Sequence, residues 1–269
     1  MKRILWLTSM IALLSTTAAV AGSAGYCYDP AQRAGYVCPP CGCVGDRQAE
    51  KQDGHCQTCK MDLVALKDLT HVAIMVHDGV ELLDFTGPAE VFATAGGRFY
   101  VYTVSQDGRP VRAQGFMKFE PDYSMHNCPW PDVLVVPGGG SGEITGNELA
   151  MQWIQAVSKD ADYVLSVCSG AFVLARAGML NGLEATTHAA DVDELKKLAP
   201  RTKVHANTRF VDNGKIITTA GVSSGIDGAL RVVQKLYGDD AATKAASYLA
   251  YDRWSPADGV VVTAKGASR

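Results

Sequence analysis

Short apolar runs alternate with amphipathic stretches along most of the chain, from residue 71 onwards. The runs HVAIMV, FYVYTVS, DVLVV and YVLSV each have the length of a buried strand. Between and after them lie stretches with helical spacing of apolar positions, such as ELAMQWIQAVSK and IDGALRVVQKLYG. Strands that alternate with helices predict an α/β fold, with a mostly parallel sheet covered by helices on both faces.

The first 66 residues follow a different pattern. Residues 1–24 begin with Lys2 and Arg3, continue with an apolar stretch too short to span a bilayer, and end in small residues. This pattern predicts a signal peptide, and therefore a periplasmic or secreted protein with no membrane segment after cleavage. The remaining chain divides by composition into a Cys-rich module (residues 25–66), the α/β domain (residues 70–252) and a C-terminal tail (residues 253–269).

The charges of the chain nearly balance. Its 269 residues include 25 Lys and Arg against 28 Asp and Glu, so the formal net charge is −3. A chain without a broad basic field is not expected to bind nucleic acid, and a small molecule is the expected partner.

The cysteines are concentrated near the start of the chain, where six of the eight lie between residues 27 and 59. Cys38 and Cys41 form one C-x-x-C pair, Cys56 and Cys59 form a second, and 14 residues separate the pairs. Two such pairs can place four sulfurs around a tetrahedral zinc ion or another soft metal. A disulfide-stapled module is the alternative in an exported protein, and a redox-active pair is a third interpretation.

Cys168 lies where a predicted strand, residues 163–167, meets a predicted helix, residues 169–177. A helix N-terminus favours a thiolate, so this position is typical of a nucleophile held on a strand–helix elbow. A small, buried and inert core cysteine is the alternative interpretation.

Two further segments follow strands and are expected to meet Cys168 at the carboxyl edge of the sheet. One is the PGGG turn, in which Gly139 and Gly140 can expose backbone N–H groups for an oxyanion hole together with the Ser169 amide. A tight turn that requires positive φ explains the same glycines. The other segment contains Asp84, which is either a candidate acid or the N-cap of the helix that follows.

Five motifs, in one order, resemble the ThiJ/PfpI superfamily of class I glutamine amidotransferase-like proteins over about residues 70–250. They resemble in particular the branch that holds isonitrile hydratase and the ligand domains of AraC-type regulators, although the helix-turn-helix of those regulators is not expected here. The resemblance implies a flavodoxin-like sheet and a homodimer. The motifs are residues 84–92 (DFTGPAEVF), 137–140 (PGGG), 167–172 (VCSGAF), 180–182 with 185–188 (LNG, ATTH) and 217–221 with 225–227 (ITTAG, GID).

The superfamily resemblance also implies residue roles. Cys168 is the expected nucleophile, and Asp84 matches the acid that lies against its sulfur. Ser169 matches the threonine that follows the nucleophile in isonitrile hydratase, where a hydroxyl can orient water or substrate; a helix cap is the alternative. His188 matches a histidine that some members place near the cysteine, and a structural histidine is the first interpretation for it.

A second resemblance concerns the Cys-rich module. Residues 54–64, GHCQTCKMDLV, resemble the end of a short heavy-metal-binding domain, with Lys60 in place of the usual glycine. The resemblance supports a metal site made by Cys38, Cys41, Cys56 and Cys59, with Cys43, Cys27 and His55 as additional possible ligands. No cofactor is expected in the α/β domain.

The resemblance to the isonitrile hydratase branch implies an enzyme of the hydro-lyase type, in which the Cys168 thiolate, or water that it activates, adds to a small electrophile such as an isonitrile. Isonitriles also bind soft metals, which offers a chemical link between the pocket and the module. One alternative is glyoxalase or deglycase chemistry. The other is a non-catalytic role in metal handling or redox stress, with Cys168 as a sensing thiol.

Overall fold

The computed structural model describes residues 30–41, 43, 45, 48–140 and 142–263. The predicted signal peptide, residues 1–24, lies outside these residues. Within them, no helix has both the length and the apolar character needed to cross a membrane.

Strands and helices alternate through the chain in the predicted way. The strands are β1 (Tyr36–Val37), β2 (Val64–Ala65), β3 (Thr70–Met75), β4 (Phe99–Ser105), β5 (Val111–Ala113), β6 (Met117–Phe119), β7 (Tyr123–Ser124), β8 (Val133–Val136), β9 (Tyr163–Val167), β10 (Glu184–Ala185), β11 (Lys203–Val204), β12 (Phe210–Asp212), β13 (Ile216–Thr219) and β14 (Gly259–Val261). The α-helices are α1 (Leu82–Thr94), α2 (Gly142–Thr145), α3 (Glu148–Asp160), α4 (Gly170–Arg176), α5 (Val192–Leu198), α6 (Ser224–Tyr237) and α7 (Asp239–Tyr248).

The central sheet has the strand order β14-β12-β13-β9-β8-β3-β4-β7. Its neighbouring strands run parallel except for the antiparallel pair β12–β13. The mostly parallel α/β fold predicted from the sequence is therefore confirmed. The connection from β3 leads to β4 on one side of β3, and the connection from β8 leads to β9 on the opposite side of β8. The connections after these two adjacent strands therefore run in opposite directions. Ligands of open α/β sheets bind at such a divergence, beyond the carboxyl ends of the strands.

Both faces of the sheet are buried, which explains why its strands read as continuous apolar runs. In β3, Val72 and Ile74 pack on the face covered by α1, α6 and α7, and Ala73 and Met75 pack on the opposite face. The opposite face is covered by α3, α4 and α5, and Trp153 of α3 is completely buried there.

The sheet continues into the segment that the sequence pattern assigns to a C-terminal tail. Strand β14 pairs in parallel with β12 and forms one edge of the sheet. Gly259 packs directly against the Phe210 ring. A side chain would not fit there, because a Cβ at this position would lie 2.1 Å from a ring carbon. A three-residue strand that begins with glycine carries too little periodicity to be recognised in the sequence.

The described part of the Cys-rich module contacts the amino edge of the sheet. Val37 of β1 packs with Leu66, Leu69 and Tyr100, the second residue of β4. Arg33 forms an ion pair of 2.9 Å with Asp132, just before β8. The module therefore lies opposite the carboxyl edge, where the motifs of the α/β domain gather.

Candidate functional site

Cys168 joins the end of β9 to the start of α4 with a φ angle of 55°, in the left-handed region that side chains rarely adopt. Its own N–H donates to the Ala220 carbonyl at 3.2 Å, and its carbonyl accepts the Thr187 hydroxyl at 2.8 Å. Gly170 allows α4 to begin this close to the sheet, because a Cβ there would lie 2.1 Å from the Val136 oxygen. The predicted strand–helix elbow is present, and its backbone strain is typical of a functional position.

Asp84 lies in the first turn of α1 and is completely buried. The helix begins at Leu82 after Glu81, so the alternative interpretation of Asp84 as the N-cap is wrong. Its Oδ2 accepts the Gly138 N–H at 3.0 Å. Its Oδ1 is buried without a hydrogen bond of ordinary geometry from any described residue. One carboxyl oxygen is thus fixed by the backbone, and the other is available.

The two side chains influence each other's ionisation. Burial is the main effect that raises the pKa of Asp84 to about 7, and the Glu81 charge adds to the rise. The Gly138 N–H lowers this pKa, and a hydrogen bond with the Cys168 side chain lowers it by a smaller amount. An acid with a pKa near neutrality is suited to both accepting and donating a proton.

The thiol does not have the lowered pKa predicted from its place at a helix N-terminus. Burial, followed by the Asp84 charge, raises the pKa of Cys168 to about 12. The N–H groups of Ser169 and Val222 donate to the sulfur and oppose this rise only in part. Near neutral pH, therefore, Cys168 is a protonated thiol, and the neighbouring Asp84 carboxyl is close to its own pKa. Because the groups interact, they titrate as a pair.

Gly139 and Gly140 do not form the predicted oxyanion hole. The Gly139 N–H donates to the Ser169 hydroxyl at 3.1 Å, and the Gly140 N–H donates to the Gly79 carbonyl at 2.8 Å. Both N–H groups are therefore used within the protein, one by Ser169 at the elbow and the other by the loop after β3. Gly139 has the positive φ, 94°, that the alternative interpretation of a tight turn requires. The backbone donors at the sulfur are instead those of Ser169 and Val222.

Val222 was not singled out in the sequence. It follows Gly221 in the loop after β13, has a φ angle of 29°, and donates its N–H to the sulfur. No residue type marks such a role, since every amino acid except proline supplies a backbone N–H. The preceding glycine is the one available signal, because a Cβ at position 221 would overlap the His188 ring at 2.2 Å.

Ser169 and His188 have mainly structural partners. Besides accepting the Gly139 N–H, the Ser169 hydroxyl lies 3.4 Å from the Gly139 carbonyl, and it makes no capping bond to α4. The His188 Nδ1 accepts the Ala190 N–H at 3.4 Å and lies 3.7 Å from the Asp191 carboxylate. The structure thus places Ser169 beside the sulfur and uses His188 as a cap, in agreement with its first interpretation.

Four sulfurs of the Cys-rich module form a separate cluster. Those of Cys38, Cys43, Cys56 and Cys59 all lie within 4.8 Å of one another. Cys43, 3.8 Å from Cys56, therefore takes the place of Cys41 in the predicted set of four, while the exposed Cys41 lies beside one member of the cluster, Cys38. No disulfide joins the cysteines among residues 38–168 that the structure describes. The cluster lies at the amino edge of the sheet and Cys168 at the carboxyl edge, so the two sites do not share a pocket.

The structure defines a class of α/β protein in which a cysteine is presented at the carboxyl edge of the sheet. Its features are the Cys168 elbow, the buried Asp84 carboxyl and the glycine turn at residues 137–140. The DJ-1/PfpI family matches residues 70–235, and the chain belongs to this family. It is 35% identical over 188 residues to the isonitrile hydratase of Pseudomonas putida, covering 70% of this chain and 81% of that protein.

Solved structures agree with this assignment. A ThiJ/PfpI family protein from Pseudomonas syringae superposes with a TM-score of 0.64 at 29% identity, over 70% of this chain and 77% of the other. Drosophila melanogaster DJ-1beta superposes with a TM-score of 0.60 at 22% identity, over 68% of this chain and 98% of the other, and shares the fold.

Proposed function

We propose that this protein is a hydro-lyase that adds water to a small electrophilic carbon, with an isonitrile as substrate and an N-substituted formamide as product. The observation that carries the proposal is the pairing of Cys168 with the buried Asp84 carboxyl, in a chain 35% identical to an isonitrile hydratase. The Cys168 residue is only 8% exposed, which favours a small and largely apolar substrate.

The first step is addition of the thiol across the isonitrile carbon. As the sulfur forms a bond to that carbon, the Asp84 carboxylate takes the S–H proton, and the resulting carboxylic acid delivers it to the same carbon. One S–C and one C–H bond form, one S–H bond breaks, and the product is a thioimidate. The Ser169 and Val222 N–H groups stabilise the negative charge that develops on the sulfur. The high resting pKa of Cys168 makes this transfer to Asp84 necessary.

The second step is hydrolysis of the thioimidate. Asp84, again a carboxylate, removes a proton from water while the water oxygen adds to the carbon, and the substrate nitrogen takes up the proton. The C–S bond then breaks, the sulfur regains a proton from the new hydroxyl, and the formamide leaves. The sum is isonitrile plus water to formamide, with no oxidation or reduction. A carboxyl group with a pKa of about 7 can perform both transfers near neutral pH.

Purified protein incubated with small isonitriles tests the proposal. Loss of the isonitrile infrared band should accompany formation of formamide, and Cys168→Ala and Asp84→Asn should each abolish most of the turnover. Cys128→Ala removes another buried thiol, away from the site, and is the matched control. Equal turnover in Cys168→Ala, or none in the wild-type protein with any small isonitrile, would contradict the assignment.

The sulfur cluster supports a second function, the binding of zinc or another soft metal. A tetrahedral site with Zn–S bonds of about 2.3 Å has sulfurs about 3.8 Å apart. The Cys38–Cys59 and Cys43–Cys56 sulfur pairs are separated by 3.4 and 3.8 Å, so the donor set fits such an ion. Metal analysis of protein purified without chelators tests this, and a metal content unchanged in Cys56→Ser would contradict it.

Export is a further part of the proposal, and it rests on the composition of residues 1–24. Cell fractionation of the full-length chain and of a version lacking those residues tests it. Equal cytoplasmic retention of both would contradict export.

A further inference from the structure

Among the residues that the structure describes, the Cys-rich module has one cysteine sulfur more than a tetrahedral metal site uses. Four sulfurs form the cluster, and the Cys41 sulfur lies 3.8 Å from that of Cys38, which is a member. A separation of this size is also the spacing expected between two sulfurs bound to one metal ion. Cys41 can therefore reach a metal in the cluster without a large movement of the chain.

The cluster has a closed side and an open side. Cys38 and Cys56 are buried, and Cys38 borders a small cavity lined by Leu69, Phe99 and Tyr100 of the α/β domain. Cys41 is exposed. The extra sulfur thus lies on the solvent side of a site whose opposite side is held against the sheet.

We propose that Cys41 is an exchange ligand, through which the module passes a soft metal ion to an external thiolate or chelating acceptor. This inference rests on the proposed metal site of Cys38, Cys43, Cys56 and Cys59. A structural zinc site needs four ligands and gains nothing from a fifth exposed one. In a transfer site an additional exposed sulfur speeds transfer, because it can bind the metal before another metal–sulfur bond breaks.

The exchange is a ligand substitution without oxidation or reduction. The Cys41 thiol loses its proton to water, and its sulfur forms a bond to the metal as the neighbouring bond to Cys38 breaks. The released Cys38 sulfur takes up a proton. The metal, now held at the exposed side, is open to attack by a sulfur or nitrogen donor of the acceptor.

The test uses the full chain loaded with Zn²⁺ and, separately, with Co²⁺. Co²⁺ reports the ligand set through its sulfur charge-transfer bands, and Zn²⁺ release to an excess of a chromophoric chelator reports transfer. Cys41→Ser should keep one metal per chain and the four-sulfur Co²⁺ spectrum, while transfer slows by about tenfold or more. Cys43→Ser should lose the four-sulfur spectrum and most of the affinity. Cys128→Ser should match the wild type in both measurements.

The outcomes separate the two levels of the proposal. If the wild-type chain binds neither ion, the metal site itself is wrong, and the exchange with it. If Cys41→Ser binds normally and transfers at the wild-type rate, only the exchange is overturned. If Cys41→Ser loses the four-sulfur spectrum and Cys43→Ser keeps it, Cys41 is a permanent ligand and the exchange is again overturned.

Discussion

The Gly138 N–H donates to the Asp84 carboxyl at 3.0 Å and so connects the loop after β8 to the helix after β3. These are the two strands between which the chain connections diverge. The bond fixes Oδ2 of Asp84, and the opposite oxygen remains without a hydrogen bond of ordinary geometry from the described residues. The carboxyl group is thereby oriented by the fold rather than by another charged side chain, which leaves its proton available for chemistry.

Gly138→Ala should damage the site directly. An added Cβ would lie 2.6 Å from the Ser169 hydroxyl and 2.8 Å from the Asp84 Oδ2, and the backbone cannot move away without breaking the bond between Gly138 and Asp84. We expect a loss of roughly 1–3 kcal/mol in the free energy of unfolding and of most isonitrile turnover. Gly142→Ala is the control, since a Cβ there meets no atom within 4 Å. Urea denaturation measures the free energy of unfolding, and initial rates measure the turnover. Equal values for Gly138→Ala and Gly142→Ala would contradict the close packing of Gly138 against Ser169 and Asp84.

Asp84→Asn should stabilise the protein at alkaline pH while it destroys activity. The folded pKa of about 7 lies above the ordinary value of 3.8, so the folded state binds a proton between these values that the unfolded state releases. The free energy of unfolding of the wild type therefore falls as pH rises through this window. Above pH 7 the buried carboxylate costs up to about 4 kcal/mol, a cost that a neutral amide avoids.

The measurement is the free energy of unfolding of both proteins at pH 4 and pH 8. The advantage of Asp84→Asn should be present at pH 8 and nearly absent at pH 4, where Asp84 is protonated in the folded state. An advantage of equal size at both pH values would show that packing, and not ionisation, separates the variants.

The resting Cys168 thiol should react slowly with iodoacetamide near neutral pH, because its pKa is raised to about 12. The Asp84 charge contributes to that rise, so Asp84→Asn should lower the thiol pKa and accelerate alkylation at pH 8. Mass spectrometry of the modified peptides over a pH series gives the rates. Cys128, whose pKa burial also raises to about 12, is the internal reference and should not change. Slower alkylation in Asp84→Asn would instead mean that a protonated Asp84 stabilises a resting thiolate.

The fold was largely predictable because both faces of the sheet are covered. Continuous burial makes β3, β8 and β9 stand out as apolar runs, and the runs DVLVV and YVLSV contain the residues of β8 and β9. The edge strand β14 was missed, since a short edge strand needs no apolar periodicity and its pairing depends on distant β12. The proximity of Cys168 to Asp84 could be predicted for a related reason, because both follow apolar strands at the same edge of the sheet; their catalytic roles stay a prediction.

The parts that were not predictable depend on backbone direction and on solvent exposure. Which amides face the sulfur is decided by the path of the backbone in loops such as the one that holds Val222, and residue type does not encode this. The thiol pKa depends on how deeply the elbow is buried, which outweighs the favourable helix N-terminus. In the module, the spacing of C-x-x-C pairs suggested Cys41, but the folding of the loop brings Cys43 to the cluster instead.

Arg209 should hold in place the loop whose Val222 N–H donates to the Cys168 sulfur. Its guanidinium group pairs with the fully buried Asp227, and it donates to the hydroxyls of Tyr251 at 2.9 Å and Ser223 at 3.4 Å. Ser223 follows Val222, so this network holds the loop whose N–H group reaches Cys168. Arg209→Gln leaves the Asp227 carboxylate buried without a counter-charge, which should cost about 3–5 kcal/mol. Tyr251→Phe removes two hydrogen bonds, the one that Tyr251 accepts from Arg209 and the one that it donates to Asp227 at 3.1 Å, but keeps the ion pair, and should cost about 2–3 kcal/mol.

The Arg209→Gln loss should also depend on pH. Burial raises the pKa of Asp227 even with Arg209 present, and without the guanidinium this pKa rises further. The folded variant therefore binds a proton that the unfolded chain releases, and its free energy of unfolding should fall more steeply than that of the wild type as the pH rises above the ordinary aspartate pKa of 3.8. Urea denaturation at pH 5 and pH 8 measures the slope, and the rate of Cys168 alkylation reports whether the Val222 N–H still reaches the sulfur. If Arg209→Gln matches Tyr251→Phe in both, the ion pair is peripheral and the loop is held by its backbone alone.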